Sequence, residues 1–285
     1  KISTNLSTAF VQIFDAEVKQ AYQATAQLTG VCRMRTGVVG SQANFPSIGK
    51  GQATVRTPQT DVVPLNVSTA TTAVTLTNYN ASEYSDIFDQ QKVNFDERRE
   101  LAQVVGSAIG RRQDQILLDA LLAASAGTTV ANTVVTTGSA SASDLSVGKI
   151  LAAKKALDAA NVPPTDRHLI IHANNLSALL GDERAVSADY ANIRALVAGE
   201  INSFLGMTVH MIGDRDEGGL TIDGSNDRTC FAFHKNAVAM AVGIMPSIEV
   251  NYVPEKTSFL VTAKLAAGAG VIDTAGLVDI TCRES

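Results

Sequence analysis

Between residues 94 and 125 the apolar positions fall at helical spacing: Leu101, Val104, Val105, Ala108, Ile109, Ile116, Leu117, Ala120, Leu121 and Ala124. Asn94 or Asp96 is placed to cap the start, acidic residues fill the first turn, and Gly127 supplies a stop. At 1.5 Å per residue such a helix is about 45 Å long, against a mean of roughly 12 residues for globular helices. Gly106 and Gly110 sit one turn apart in it, so another backbone can approach closely there. Midway along the rod stands GRRQDQ, which carries Arg111, Arg112 and Asp114.

Two different patterns precede the rod. Over residues 5–29, Phe10, Ile13, Phe14, Val18, Ala21 and Tyr22 share one helical face, and Gly30 follows as a stop. From about 37 to 80 the chain turns to Gly, Pro, Thr and Ser. There GKGQATVRTP and VTLTNYNA read as two strands, the second with Val74, Leu76 and Tyr79 in rough alternation. Between them lies a polar stretch containing Pro58 and Pro64. The pattern predicts a long two-stranded loop that projects from the body, buries little of its own surface and needs a neighbour to lie on.

After the rod, residues 128–143 are polar and of low complexity, a hairpin or linker. A helix is predicted from about Leu145 to Ala160, capped by Ser143 or Asp144 and stopped by Asn161 and Pro163. RHLIIHA reads as a buried strand, NNLSALLGD as a short helix, NIRALVAGEINSFLG as a further helix and GMTVHMI as a strand. That order predicts a unit with a central sheet. The tail is strand-rich: RTCFAFH, SIEVNYV, SFLVTAKLAAGAGV and LVDITC.

Composition narrows the picture. The 285 residues are long enough for a sizeable core, and 45% hydrophobic with 18% charged residues is an ordinary globular balance. No apolar run reaches the roughly 18 residues of a membrane helix. The first residues, KISTNLSTAF, have neither the apolar core nor the cleavage site of a secretory signal, and the missing initiator Met fits either a cut or a longer parent chain. A net charge of -5 with scattered Lys and Arg argues against a protein that grips DNA phosphates. Cys32, Cys230 and Cys282 are far apart, odd in number and without CxxC spacing, as expected of incidental thiols in a reducing compartment.

Catalytic chemistry finds no motif. His168 and His172 share one face of a predicted strand, but no third zinc ligand is near in sequence, so they read as two sheet-edge histidines. His210 and His234 are isolated in strands. GAGVIDTAG puts Asp273 where a dinucleotide turn needs its third glycine. GKGQATV is not a P-loop, and no G-x-S-x-G elbow exists. Asp214, Asp216 and Glu217 in GDRDEGG are better explained by a surface turn than by a cation site. Neither a catalytic residue, a metal site nor a cofactor is expected.

The order of parts, more than any one motif, carries a resemblance. FPSIGKGQATVRTP, then VTLTNYNASEYSDIFDQQKVNFDERRELAQVVGSAIGRRQDQILLDAL with Asp96, Arg98, Glu100, Asp114, Leu117, Leu118 and Leu121, resembles the passage from extended loop to spine helix in one family. LDAANVPPTDRHLIIHANNLSALLGD, FLGMTVHMI and FAFHKNAVAMAV are similar to the later parts of the same family. That family is the major capsid protein of tailed bacteriophages, the Hong Kong ninety-seven phage fold, especially its short-tailed podoviruses. The resemblance implies an α+β fold with an N-terminal arm (1–36), an extended β-hairpin loop (37–82) and a peripheral domain with the spine helix (83–143). An axial domain (144–245) and strands returning to the peripheral domain (246–285) would follow.

It further implies a shell subunit that assembles as hexamers and pentamers around double-stranded DNA without reading its sequence. Scaffolding, portal and decoration proteins would be further partners, and no membrane is involved. Candidate intersubunit contacts are Phe10 and Phe14 in the arm, Lys50, Arg56 and Asp61 in the loop, and Arg98, Arg111, Arg112 and Asp114 on the helix. The last three would form a polar girdle that pairs within the subunit or across a contact; a solvated helix face is the plainer reading. Some members of the family weld the loop to a neighbour through a lysine–asparagine bond, and Lys50 lies in this loop with Asn44 near it. Three other readings stay open: an encapsulin-type nanocompartment shell, a tail or decoration component, and a soluble α/β enzyme with an unrecognised site.

Overall fold

The computed structural model describes residues 23–62, 64–90, 92, 96–124, 126–135, 141–181, 203–215, 217 and 219–284. The arm positions Phe10 and Phe14, and most of the helix predicted over 192–206, lie outside them.

In chain order the first elements are β1 (Arg33–Thr36), β2 (Gln42–Ile48), β3 (Thr69–Thr75), β4 (Thr77–Asp86), a short α1 (Ile87–Gln90) and the long α2 (Glu97–Ala123). Then come β5 (Thr128–Val130), α3 (Val147–Ala159), β6 (Arg167–His172), α4 (Ala173–Gly181), β7 (Ser203–Phe204) and β8 (Met207–Ile212). The tail holds β9 (Asp227–His234), β10 (Val238–Val253), β11 (Ser258–Val271) and β12 (Leu277–Arg283).

Among the described residues the strands form three sheets. One has the order β1-β10-β11-β4, a second β5-β12-β9-β6-β8-β7, and β2 pairs with β3 alone. The tail strands therefore split. β10 and β11 belong with β4, under α2, whereas β12 pairs with β9 and β5 in the six-stranded sheet. β10 enters the four-stranded sheet at Val238, and of residues 246–285 the last strand, β12, lies in the six-stranded sheet. Period-2 alternation marks a strand but does not name its partner, which is why the division was not readable.

α2 packs Val105, Ile109, Leu117, Leu118 and Leu121 inward, all buried. Its 27 residues give about 40 Å, and Asp96 is the N-cap by position, without a side-chain cap bond. α3 is capped at Ser146, not at Ser143 or Asp144. Asn161 ends it in the left-handed conformation, at φ 58°. Asp144 instead accepts from the Leu145 N–H and from Asn175 Nδ2, each at 2.6 Å.

Three other predicted elements differ. Residues 23–28 are not helical, although Gly30 does take a positive φ of 88°. GKGQATVRTP is not a strand: the partner of β3 is β2, which lies immediately before that stretch, and Gly49 closes the pairing by donating to Ser68 O at 2.7 Å. The residues SFLG, read as helix end, form a tight hairpin in which Leu205 (φ 50°) and Gly206 (φ 81°) join β7 to β8.

Candidate assembly surface and its polar clamp

The paired hairpin of residues 42–75 is held at its base and free at its tip. Phe45 and Val74 are buried against Ala239 and Ala241 of β10, in a small cluster of their own. Gly268 of β11 lies so close that a Cβ there would stand 2.0 Å from Thr75 O, so only glycine lets the hairpin base reach the sheet. Beyond Gly49 the picture reverses. Val55 is 98% and Val62 88% exposed, and Lys50, Arg56 and Asp61 are exposed beside them. The sequence candidates of the loop all sit on its open tip.

The helix candidates are placed quite differently. Asp114 is 1% exposed. Its Oδ1 accepts the Leu28 N–H at 3.0 Å, and Oδ2 accepts the Gln27 N–H at 2.8 Å and Arg215 Nη1 at 2.9 Å. Arg111 donates to Gln23 Oε1 at 3.2 Å and to Ala24 O at 3.4 Å, and approaches Glu217 at 3.8 Å. Gln115 accepts the Gly219 N–H at 2.8 Å. Arg112 lies over the Tyr79 ring at 5.2 Å, and Arg98 over the Phe259 ring at 4.8 Å with Asp96 at 3.7 Å. The girdle therefore pairs within the chain. Asp114 is buried within its own chain.

This arrangement is a clamp among three segments: the chain entering at 23–28, the middle of α2 and the turn after β8. The acidic turn GDRDEGG is thus more than a surface turn. Arg215 and Glu217 reach the helix, and Asp214 bonds His172 Nε2 at 3.1 Å; Asp216 lies outside the described residues. The Asp114 carboxylate is satisfied by the ion pair and two backbone donors, whereas Arg215 Nε, Arg111 Nε and Glu217 Oε2 are buried with no hydrogen-bond partner among the described residues. Arg215, Gln27 and Leu28 were invisible as partners of Asp114 in the sequence, because they lie up to 101 residues away or offer only backbone, and the Gly219 N–H that meets Gln115 lies 104 residues from it.

The histidines read as edge residues are central. β6 lies between β9 and β8, and His168 Nδ1 meets His210 Nε2 at 3.1 Å across that junction. Burial, and then the neighbouring His210, hold His168 down to about 4; burial also lowers His210. Lys149 of α3 is fully buried, where its ammonium donates to Ser143 O at 2.5 Å and Thr281 O at 3.1 Å, and burial lowers it. Cys32, Cys230 and Cys282 are free and buried, and contact with the Cys282 thiol, then burial, raises Cys230. Asp273 caps the short turn after β11 by accepting the Ala275 N–H at 3.0 Å, which gives the GAGVIDTAG stretch a structural use. Among the described residues no group of three or more His, Cys, Asp and Glu is gathered to hold a metal, and no helix is long and apolar enough to cross a membrane.

A family model described as phage capsid protein matches residues 6–284. No curated protein matches the sequence. Among solved structures the chain is similar to the capsid of cyanophage P-SCSP1u, at 17% identity over 99% of this chain and 96% of that one, with a TM-score of 0.78. It is similar also to the head structure of Helicobacter pylori bacteriophage KHP40, at 10% identity, 100% and 98% coverage and a TM-score of 0.76. A third likeness is to a chain of Mycobacterium phage Che8, at 18% identity, 95% and 96% coverage and a TM-score of 0.68. Identities this low speak for the fold; the family match covers nearly the whole sequence. A long helix on a four-stranded sheet, a six-stranded sheet beside it, an open hairpin and that match lead to one conclusion: the chain belongs to the phage capsid protein family, as a structural major capsid protein.

Proposed function

We propose that the chain assembles as hexamers and pentamers into an icosahedral phage head that encloses double-stranded DNA. It is built in the host cytoplasm, becomes part of the virion, and meets scaffolding, portal and decoration proteins there. The observation that carries the reading is the hairpin. In the tip formed by residues 49–62 and 64–68, Val55 and Val62 stand almost fully in solvent and Leu65 about half so. A folded chain gains nothing by exposing them, and a neighbouring subunit covers them at many equivalent places in a closed shell. The net charge of -5 supports a shell that contains DNA without gripping its phosphates.

Replacing residues 50–66 with a short Gly-Ser turn tests this. The shortened chain should keep its circular dichroism and unfolding midpoint, because the base is pinned by Phe45 and Val74. It should sediment as subunits or small rings where the full chain forms shells. Closed shells of unchanged diameter from the shortened chain would remove the hairpin from the account.

A further inference from the structure

β8 is held in its sheet mainly from one side. A parallel ladder joins it to β6, from His168 beside Thr208 to His172 beside Ile212, whereas on the other side β7 offers only Ser203 and Phe204. On that ladder His168 Nδ1 and His210 Nε2 stand 3.1 Å apart. One ring donates and the other accepts, so the contact needs a single proton between the two nitrogens. His168 Nε2, on the far side of its ring, is buried and has no hydrogen-bond partner.

A further proton is poorly received here. A cationic His168 leaves a buried N–H unmet, and with both rings charged two donors face each other across the contact. The surrounding charges do not offset this. Burial is the largest influence on both rings, followed at His168 by His210 itself. Asp166 favours a charged His168 while Lys235 and His234 oppose it, and Asp114 favours a charged His210. The balance holds His168 down to about 4. His172, further along β6, meets Asp214 and Glu284 instead.

The turn directly after β8 is the part of the molecule that reaches α2. Arg215 donates to Asp114 at 2.9 Å, Glu217 approaches Arg111 at 3.8 Å, and the Gly219 N–H donates to Gln115 Oε1 at 2.8 Å. β8 cannot leave β6 without drawing this turn off the helix.

We propose that β8 and the turn after it form an acid-sensitive latch: protonation of the His168–His210 pair releases β8 from β6 and, with it, Arg215 from Asp114 on α2. The inference does not depend on shell formation. It differs from a general loss of stability in acid, because the opening is confined to β8 and its turn while β9 and β12 stay paired. Exposure returns His168 from about 4 to its ordinary 6.5, so the open state binds more protons between those values and gains as pH falls. From pH 7 to pH 5 one such ring raises the opening equilibrium about twenty-fold.

Amide hydrogen exchange on dissociated full-length subunits at pH 7 and pH 5, corrected for the intrinsic rate, tests it. Residues 207–212 and Gly219 should lose protection together, by about twenty-fold or more, and should exchange faster than residues 278–282 of β12 at both pH values. His168→Gln, which keeps a neutral polar side chain, should cut that loss at least about four-fold. Three results on the unaltered chain would each overturn the latch. A loss in β8 under about three-fold removes the trigger. One common protection for β8 and β12 at pH 5 makes the acid effect global. Gly219 staying protected while β8 opens uncouples the strand from α2. An unchanged loss in the glutamine variant overturns it as well, because the proton then acts elsewhere.

Discussion

The carboxylate of Asp114 accepts the backbone N–H of Leu28 at 3.0 Å, across 86 residues of sequence, at a point where it is 1% exposed. The same side chain holds Arg215, equally buried, at 2.9 Å. One carboxylate thus fixes where the entering chain crosses the long helix and where the turn after β8 meets it. Removing it leaves a buried guanidinium without its anion and two backbone donors without an acceptor. Asp114→Ala should destabilise the dissociated subunit by about 3 to 5 kcal/mol, read by urea unfolding. Asp114→Asn keeps the acceptor but not the charge and should lose less. A loss under about 1 kcal/mol for the alanine variant would mean that the clamp is dispensable.

Gly268 makes a second, steric prediction. Its missing Cβ leaves room for Thr75 O, and a methyl group there would lie 2.0 Å from that backbone atom. Gly268→Ala should cost about 3 kcal/mol or force the hairpin base away from β11. Gly224→Ala, with nothing within 4 Å, is the matched control and should change stability by less than about 1 kcal/mol. Thermal melting of the two variants side by side checks the contrast.

Acid stability follows from the burial of His168 and His210. Both rings titrate lower in the folded chain than their ordinary 6.5, His168 near 4. Between those values the unfolded chain binds more protons, so stability rises with pH through the window and is lost as pH falls from 6.5 towards 4. Asp279 acts in the opposite sense. Burial raises it from 3.8 to about 6, so the folded chain holds more protons there and its contribution weakens stability as pH rises across that range. His168→Gln should therefore flatten the acid limb of the stability–pH curve, and Asp279→Asn should steepen it. Denaturant midpoints at half-unit steps from pH 4 to 7 show whether the two variants move in opposite directions.

Much of this was legible in the sequence, for reasons that can be named. α2 was visible because Leu101 to Leu121 keep one period long enough to exclude a strand, with Asp96 at its start. β6, α4, β8, β9 and β12 were visible as short apolar runs bounded by breakers. The order of these parts was enough to suggest the capsid family, and the family match agrees. Pairing was not legible. GKGQATVRTP reads as a strand, yet beyond the Gly49–Ser68 bond it pairs with no strand among the described residues, while β2 was overlooked because Pro46 stands in it, opposite Thr71. The clamp was half-visible: Arg111, Arg112 and Asp114 stood out as a polar band, but Arg215 lay inside a turn that looked like solvated acid. A buried carboxylate announces itself only through its partners, and two of these are backbone N–H groups that any residue could offer.

The central claim is that this chain is built to close a shell, and particle size tests it most directly. The purified full chain, with a scaffolding protein supplied if it requires one, should give closed shells or rings of five and six subunits by light scattering and negative-stain electron microscopy. The shell diameter would then bound the number of subunits. A compact monomer or dimer that persists across a wide concentration range, scaffold included, would contradict the account.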